Sequence, residues 1–450
     1  MNMSGVLSRK VKLGYGAGEF AGSIFWLTIA FWLMNYLTDE VGLSASLAGM
    51  ALMIGKIWDA VTDPAAGFLS DKTRTRWGRR KPWFLFSALP FGLMFLIMFI
   101  NPGIKDQTLL FLWVTISFML LCTAYTCFVV PYNALLPELT KNFDERSSLS
   151  AYKSIYAVVA TLLGAGLAMP IIGSFSSRTA GFIGMGSIYG LLIVIAVLIP
   201  FFTVKEPRFT GTGQIPNIFK SNLDAFKNRP FSLLLTSWML TTCGIVMQSA
   251  TLVYYFKYIY HDETLITLAS VVMLVTSMIF IPISVKMSEK FGKRNTYIVG
   301  LGIFIVAILL FAFIGHLFGM IGIYLIMFLA GVGLSTHYVL PWALVPDTVE
   351  YDYSLTGVRK EGVYYGLWTF AIKIGQAIAV VLMGFILDGF GYLPDVSQTE
   401  TSLLGIRMLI GPFPAILFAL GILFLFFYPI DKNKYEEIQR DIAQMESNLV

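Results

Sequence analysis

Asp59 and Asp63 stand one helical turn apart in an otherwise apolar stretch, Lys56-Ile57-Trp58-Asp59-Ala60-Val61-Thr62-Asp63-Pro64. At i and i+4 they share a helix face, with side chains about 6 Å apart. In a low dielectric two carboxylates that close repel each other. Either one takes a proton or a cation sits between them. Oxygen donors suit a small hard cation. Asp59 and Asp63 are therefore read as a Na⁺ site, or an H⁺ site in its place, with Thr62 adding a hydroxyl oxygen. Lys56 supplies the competing reading, a plain ion pair with Asp59. Lys373 lies in another apolar run. It is expected either to meet the same carboxylates and compete with the ion, or to snorkel toward water.

The elements that hold these groups follow from composition. The 450 residues are 56% hydrophobic and 13% charged, with a mean hydropathy of +0.73. Soluble domains carry about 25% charge, so the bilayer is the solvent that fits. A crossing helix needs about 20 apolar residues. Runs 82–104, 107–137, 154–177, 179–204, 230–256, 264–285 and 408–430 qualify without any charge. Run 295–346 is long enough for two helices, with a break at Gly315-His316-Leu317-Phe318-Gly319. Runs 13–37, 46–70 and 362–388 carry isolated charges, giving twelve spans in all. Ionisable groups at such depth cost about 3 kcal/mol each, which singles out Asp59, Asp63, Lys373 and Glu19.

Lysine and arginine set the orientation. With both termini inside, 26 of the 32 fall in inner segments, and only Lys105 and Arg178 fall outside. The net charge of +5 is thus a topology signal, and no nucleic-acid partner is expected. The longest inner loop divides the chain into a six-helix half (1–203), a cytoplasmic linker (204–229), a second six-helix half (230–430) and a cytoplasmic tail (431–450). Short repeats relate the halves. Asn133-Ala134-Leu135-Leu136-Pro137-Glu138 is echoed by Trp342-Ala343-Leu344-Val345-Pro346-Asp347, and Gly78-Arg79-Arg80 by Gly292-Lys293-Arg294. Parallel six-helix repeats describe an all-α membrane protein of the major facilitator fold. Apolar residues at helical spacing, Ile438, Ile442, Met445 and Leu449 in the tail and Ile218, Phe219, Leu223 and Phe226 in the linker, predict amphipathic helices on the inner surface.

Other chemistry finds no support. The three cysteines and three histidines show no metal-ligand spacing. No Walker loop is present, and no nucleophile–base pairing suggests an enzyme, so no catalytic residue is assigned. Trp26, Tyr125, His337, Tyr338 and Trp368 fall deep in spans one, four, ten and eleven, where a central cavity would lie. Glu19 sits near the inner end of span one. Lys153, at the start of span five, is read as an interfacial anchor. Gly164, Gly166, Gly331 and Gly333 are expected where helices approach closely.

The element Trp58-Asp59-Ala60-x-x-Asp63-Pro64, joined to Gly67-Phe68-Leu69-Ser70-Asp71-Lys72 and Arg76-Trp77-Gly78-Arg79-Arg80-Lys81-Pro82-Trp83, resembles the glycoside–pentoside–hexuronide:cation symporters. Thr38 to Ser44, Lys227 to Phe231 and Lys373 extend the resemblance over about 12–430. It implies that Asp59 and Asp63 bind the coupling cation with help from Thr126, that Lys373 couples ion to substrate, and that Trp26, Tyr125 and Thr369 line the sugar cavity. It also marks Glu19 as a family acid. Thr62 replaces an asparagine of melibiose-transporting members, which leaves the ion open. Ser23 and Val129 stand where those members grip sugar with carboxylates, and Asn133 where they carry a tryptophan. The galactoside-gripping acids are absent, which turns the expectation toward an acidic sugar or a less polar solute.

The expected function is therefore cation-coupled symport of a sugar, glycoside or uronide, by alternating access in the cell inner membrane. The alternative is a lysolipid or other amphiphile transporter on the same scaffold, because Leu340 to Asp347 and Phe427 to Asp431 resemble the C-terminal spans of animal lysolipid transporters of the same superfamily. The chain is expected to work as a monomer among membrane lipids, with Na⁺ or H⁺ and no other cofactor.

Overall fold

The computed structural model describes residues 7–140, 143–206, 225–357 and 360–447. The predicted amphipathic positions Ile218, Phe219 and Leu223, most of the 204–229 linker, and Leu449 lie outside them. Among the described residues the chain is helical, apart from one isolated bridge between Thr75 and Gly78. It forms two compact units. One comprises Met1–Gly211, Asp262–Thr267 and Val380–Thr399; the other comprises Thr212–His261, Leu268–Ala379 and Glu400–Val450.

The first half of the chain contributes α1 (Arg9–Thr28), α2 (Ala45–Lys72), α3 (Lys81–Met98), α4 (Gln107–Leu139), α5 (Phe143–Thr161), α6 (Ala168–Gly173) and α7 (Arg178–Thr203). Wider π turns prolong α1 through Ile29–Leu33 and Tyr36–Glu40, and a third, Leu162–Leu167, joins α5 to α6 into one span. A π turn displaces backbone carbonyls from the regular ladder. Here Trp32 Nε1 donates to the Gly164 carbonyl at 3.1 Å and Tyr189 Oη to that of Leu163 at 2.6 Å.

The second half contributes α8 (Arg229–Tyr258), α9 (Leu265–Phe291), α10 (Lys293–Phe313), α11 (Gly319–Thr356), α12 (Glu361–Gly389), α13 (Glu400–Ile410), α14 (Pro412–Phe426) and α15 (Lys432–Ser447). The predicted break falls in place, as a tight turn over Gly315–Phe318. The last span differs from expectation. It begins at Glu400 rather than at 408 and is interrupted at Gly411 before Pro412. Glu400 and Arg407 hide its first turns from a search for uncharged runs. The tail helix α15 also departs from a purely interfacial role. Its apolar stripe is covered by protein, with Ile438 and Ile442 buried and the helix packed on α11.

Among the described residues, ten helices are long and apolar enough to cross a membrane. Two further rods complete the twelve: α2, with Lys56, Asp59 and Asp63 at its middle, and the α5–α6 rod, which starts in charged sequence. The packing repeats as the sequence does. In the first half α3 packs on α7, α1 on α7 and α3 on α4; in the second, α10 packs on α14, α8 on α14 and α10 on α11. These are equivalent pairs of spans in each half.

The short repeats turn out to be partners. Arg79 and Arg80 reach Glu138 Oε1 at 2.6 and 3.1 Å, and Lys293 reaches Asp347 at 2.7 Å. Each half therefore ties the start of its third span to the end of its fourth. Both glycines of the motif sit at positive φ, 111° at Gly78 and 85° at Gly292. Side chains avoid that region, which explains why glycine recurs there. Glu206 adds a cap in the first half, accepting from the backbone N–H groups of Arg79, Arg80 and Lys81. Away from this end, Arg178 pairs with Glu40 and Glu263, Tyr392 donates to Asp39, and Asp388 accepts from the first amides of α2. These contacts bring 262–267 and 380–399 into the first unit.

Close approach is sharpest where α3 crosses α7. A Cβ on Gly92 would lie 2.4 Å from the Gly190 carbonyl oxygen, and one on Gly190 would lie 2.6 Å from that of Gly92. Gly331 and Gly333 are similarly crowded, by backbone of Met273 and Gly300. Replacing Gly92 by Ala is expected to cost roughly 1–3 kcal/mol by overpacking, measured as a lower thermal midpoint in detergent. Gly173→Ala, where nothing lies within 4 Å, should leave the midpoint unchanged. Equal midpoints for both variants would refute the crossing.

Candidate cation and substrate site

α2 presents Asp59 and Asp63 on one face, and α4 packs along it. Asp59 is fully buried and Asp63 half-buried. Between them lies Thr126 of α4, itself buried, with its hydroxyl oxygen 2.7 Å from Asp59 Oδ1 and 3.0 Å from Asp63 Oδ1. One hydroxyl carries one proton and can donate to only one carboxylate at a time. Pro64 follows directly and has no N–H, so the Ala60 carbonyl loses its helical donor and adds an oxygen to the same turn. Thr62 turns to its own helix, donating to the Asp59 carbonyl at 3.1 Å. Its oxygen retains lone pairs, but its proton is directed away from the acids. Among the described residues no group of three or more His, Cys, Asp or Glu could hold a metal ion; the oxygens gathered here are the two carboxylates, the Thr126 hydroxyl and the Ala60 carbonyl.

Lys56 is buried on α2 with its ammonium 3.1 Å from the centre of the Trp26 ring. A cation over an indole face is favourable. Trp26 Nε1 in turn donates to Tyr125 Oη at 2.8 Å, and Phe25 stacks on Tyr125 at 4.8 Å. An ammonium, an indole and a phenol thus form a chain beside the carboxylates, since Tyr125 adjoins Thr126.

Toward the start of α1 the structure revises one expectation. Lys153 does not serve merely as an anchor: its ammonium lies 3.0 Å from Glu19 and 2.9 Å from the Asn133 side-chain oxygen. Glu19, Ser23 and Trp26 recur at i, i+4 and i+7 on α1, and Val129 and Asn133 lie along α4. Lys153 of α5 therefore joins residues from three helices. Ser23 and Val129 are half-buried and Asn133 is exposed. Sequence spacing carried no signal for this meeting, because Glu19 and Lys153 are brought together only by α1 packing on α5.

The second unit holds the other predicted residues. His337 is buried and stacks on Trp238 at 4.5 Å; Trp238 stacks on Trp368 at 5.0 Å, with rings 9° from parallel. Tyr297 Oη lies 3.0 Å from His337 Nδ1. Trp238 was absent from the sequence expectations. Its cue was an indole among Ser237, Thr241 and Thr242 in an apolar span. Tyr338, next to His337, is exposed, as is Thr369, whose hydroxyl bonds to the Tyr365 and Gly366 carbonyls. Lys373 is half-buried on α12.

The site combines acidic oxygens, a positively charged chain and aromatic faces, in a helical membrane scaffold. Comparison with known proteins agrees with that setting. The putative 2,3-dihydroxypropane-1-sulfonate exporter of Escherichia coli (strain K12) is 31% identical over 445 residues, covering 96% of this chain and 95% of that one. The putative sulfoquinovose importer of Salmonella typhimurium (strain LT2) is 30% identical over 454 residues, covering 97% and 93%. A crystal structure of a variant of the nucleoside transporter NupG superimposes with a TM-score of 0.71 over 92% of this chain and 99% of that one. At 14% identity it speaks for the fold alone. The pattern for MFS/sugar transport proteins matches residues 14–432, and the chain belongs to that family, within the glycoside-symporter group of the major facilitator superfamily.

Proposed function

We propose that this protein is a cation-coupled symporter, driven by Na⁺ or H⁺, that carries an acidic sugar or a related glycoside or uronide across the cell inner membrane. The observation that carries the reading is the Thr126 hydroxyl within hydrogen-bond reach of both Asp59 and Asp63. Two acids and one shared proton donor form a binding element that changes its charge when an ion or proton arrives. Lys373 is assigned the coupling role and Thr62 an auxiliary oxygen. In this reading both termini face the cytoplasm and the protein acts as a monomer by alternating access.

The solute is proposed to contact Trp26, Tyr125, Ser23, Val129, Asn133 and Glu19, with His337, Tyr338, Trp368 and Thr369 as second-half contributors. Acidity of the solute is supported by two observations. Ser23 and Val129 add no carboxylate beyond Glu19, which pairs with Lys153, to the face where Lys153 stands beside Asn133. Two relatives at 30% identity or more are named for sulfonate-bearing cargo, and a sulfonate is an anion at neutral pH. Ion and solute affinities then raise each other by equal factors.

Four measurements test this reading. Uptake of labelled uronates, sulfo-sugars and neutral glycosides into proteoliposomes, with and without imposed Na⁺ or pH gradients, should show gradient-driven accumulation of an anionic sugar. Asp59→Asn should abolish accumulation, and Asp63→Asn should do the same. Ion-dependent accumulation surviving in both variants would remove the cation site. Thr126→Val should weaken the apparent ion affinity about 10- to 100-fold, as loss of a hydrogen bond to a charged group implies, while Thr126→Ser retains it. Lys153→Gln should raise the half-saturating concentration of the anionic solute about tenfold and leave that of a neutral glycoside unchanged. Equal effects on both solutes would assign Lys153 a structural role only.

A further inference from the structure

Away from the carboxylates, the first unit carries a groove of about 740 Å³ along α3 and α4, closed at one end by the loop between α2 and α3. Phe86 and Leu89 of α3 and Leu120 of α4 form its walls, and Thr73, Thr75 and Thr123 supply hydroxyls. The three apolar side chains are 70%, 67% and 51% exposed, so the groove opens outward along the flank of the unit. Its volume lies within the roughly 300–1,000 Å³ typical of ligand sites.

The loop at its end is strongly basic, and its charges divide into two sets. Arg79 and Arg80 are engaged with Glu138 and Asp71. Lys72, Arg74 and Arg76 are exposed, and among the described residues none of the three is in an ion pair. Arg74 donates to the carbonyls of Asp71 and Thr73, and Thr73 itself lines the groove. An apolar channel whose closing loop carries exposed positive charge next to the lining Thr73 and Thr75, on a membrane-spanning unit, matches one amphiphile. We infer that the groove holds a single anionic phospholipid, with an acyl chain along Phe86, Leu89 and Leu120 and its phosphate at Lys72, Arg74 and Arg76.

The lipid also reaches the proposed ion site through protein. Trp58 Nε1 donates to Thr123 Oγ1 at 2.9 Å on the groove wall. Trp58 precedes Asp59, and Thr123 lies one turn before Thr126. Occupancy of the groove therefore stiffens the α2–α4 pairing that sets Thr126 against the acids. Lipid binding stands independently of the transport reading; only this effect on ion affinity rests on it.

Native mass spectrometry of the detergent-purified protein, titrated with phosphatidylglycerol or with phosphatidylcholine of the same chains, tests the site. One phosphatidylglycerol should be retained about tenfold more tightly than phosphatidylcholine. Combined Lys72→Gln, Arg74→Gln and Arg76→Gln should erase the preference, and Leu89→Trp with Leu120→Trp should reduce retention of both lipids. Should the triple variant fail to fold, Arg76→Gln alone, at an exposed position, should still lower the preference. Equal retention of the two lipids by the wild type overturns the proposal, as does wild-type phosphatidylglycerol binding in the groove-filled variant. Loss of Na⁺ or H⁺ coupling in Asp59→Asn with lipid preference intact would separate the two sites.

Discussion

Two carboxyl groups one turn apart in an oily helix are an unstable arrangement by themselves, and α4 packs against the face that carries them. Asp59 and Asp63 are aligned by the 3.6-residue period of α2, and α4 delivers a proton donor between them, the Thr126 hydroxyl. Desolvation makes each ionised acid costly, while mutual repulsion makes the second costlier than the first. One hydroxyl proton does not satisfy two carboxylates. The surrounding elements hold the pair in place: the α2–α4 contact, the ammonium of Lys56 over Trp26, and the indole bonded to Tyr125.

Around it the scaffold is built for rigidity inside each half. Equivalent spans pack in equivalent pairs, with glycines stripped of side chains where α3 crosses α7 and where α10 meets α11. Displaced carbonyls of the π turn in the fifth span are met by Trp32 and Tyr189. In a bilayer, where no water is present to accept a stray backbone group, such pairing is obligatory. The irregular turns are therefore tolerated because large polar-edged side chains from neighbouring helices satisfy them.

Much of this was legible in the sequence. Uncharged runs gave the spans because hydrocarbon thickness sets their length, and the Gly315 to Gly319 break was visible as glycine in an otherwise continuous run. The aspartates were legible because helical spacing needs no tertiary information. Other features were hidden for identifiable reasons. Glu400 and Arg407 masked the opening turns of the last span. The bond of Lys153 to Glu19 and Asn133 joins three helices far apart in sequence. Trp238 looked like one more aromatic residue until α8, α11 and α12 stacked it between His337 and Trp368. The Thr62 proton turned to the backbone, an option open to any threonine within a helix, and spacing alone does not exclude it.

The twin ion pairs, Arg79 with Glu138 and Lys293 with Asp347, bear on how such a molecule arises. Each is closed inside its own six-helix half, so copying one half would copy a complete electrostatic unit and leave no orphaned charge behind. After duplication the copies are free to drift in arm length, provided that sign is kept on both sides. The two pairs have that character: a long guanidinium against a long acid in one half, a lysine against a shorter acid in the other. Ancestry is written here in charge sign and in the backbone angle of two glycines, while the letters around them have changed.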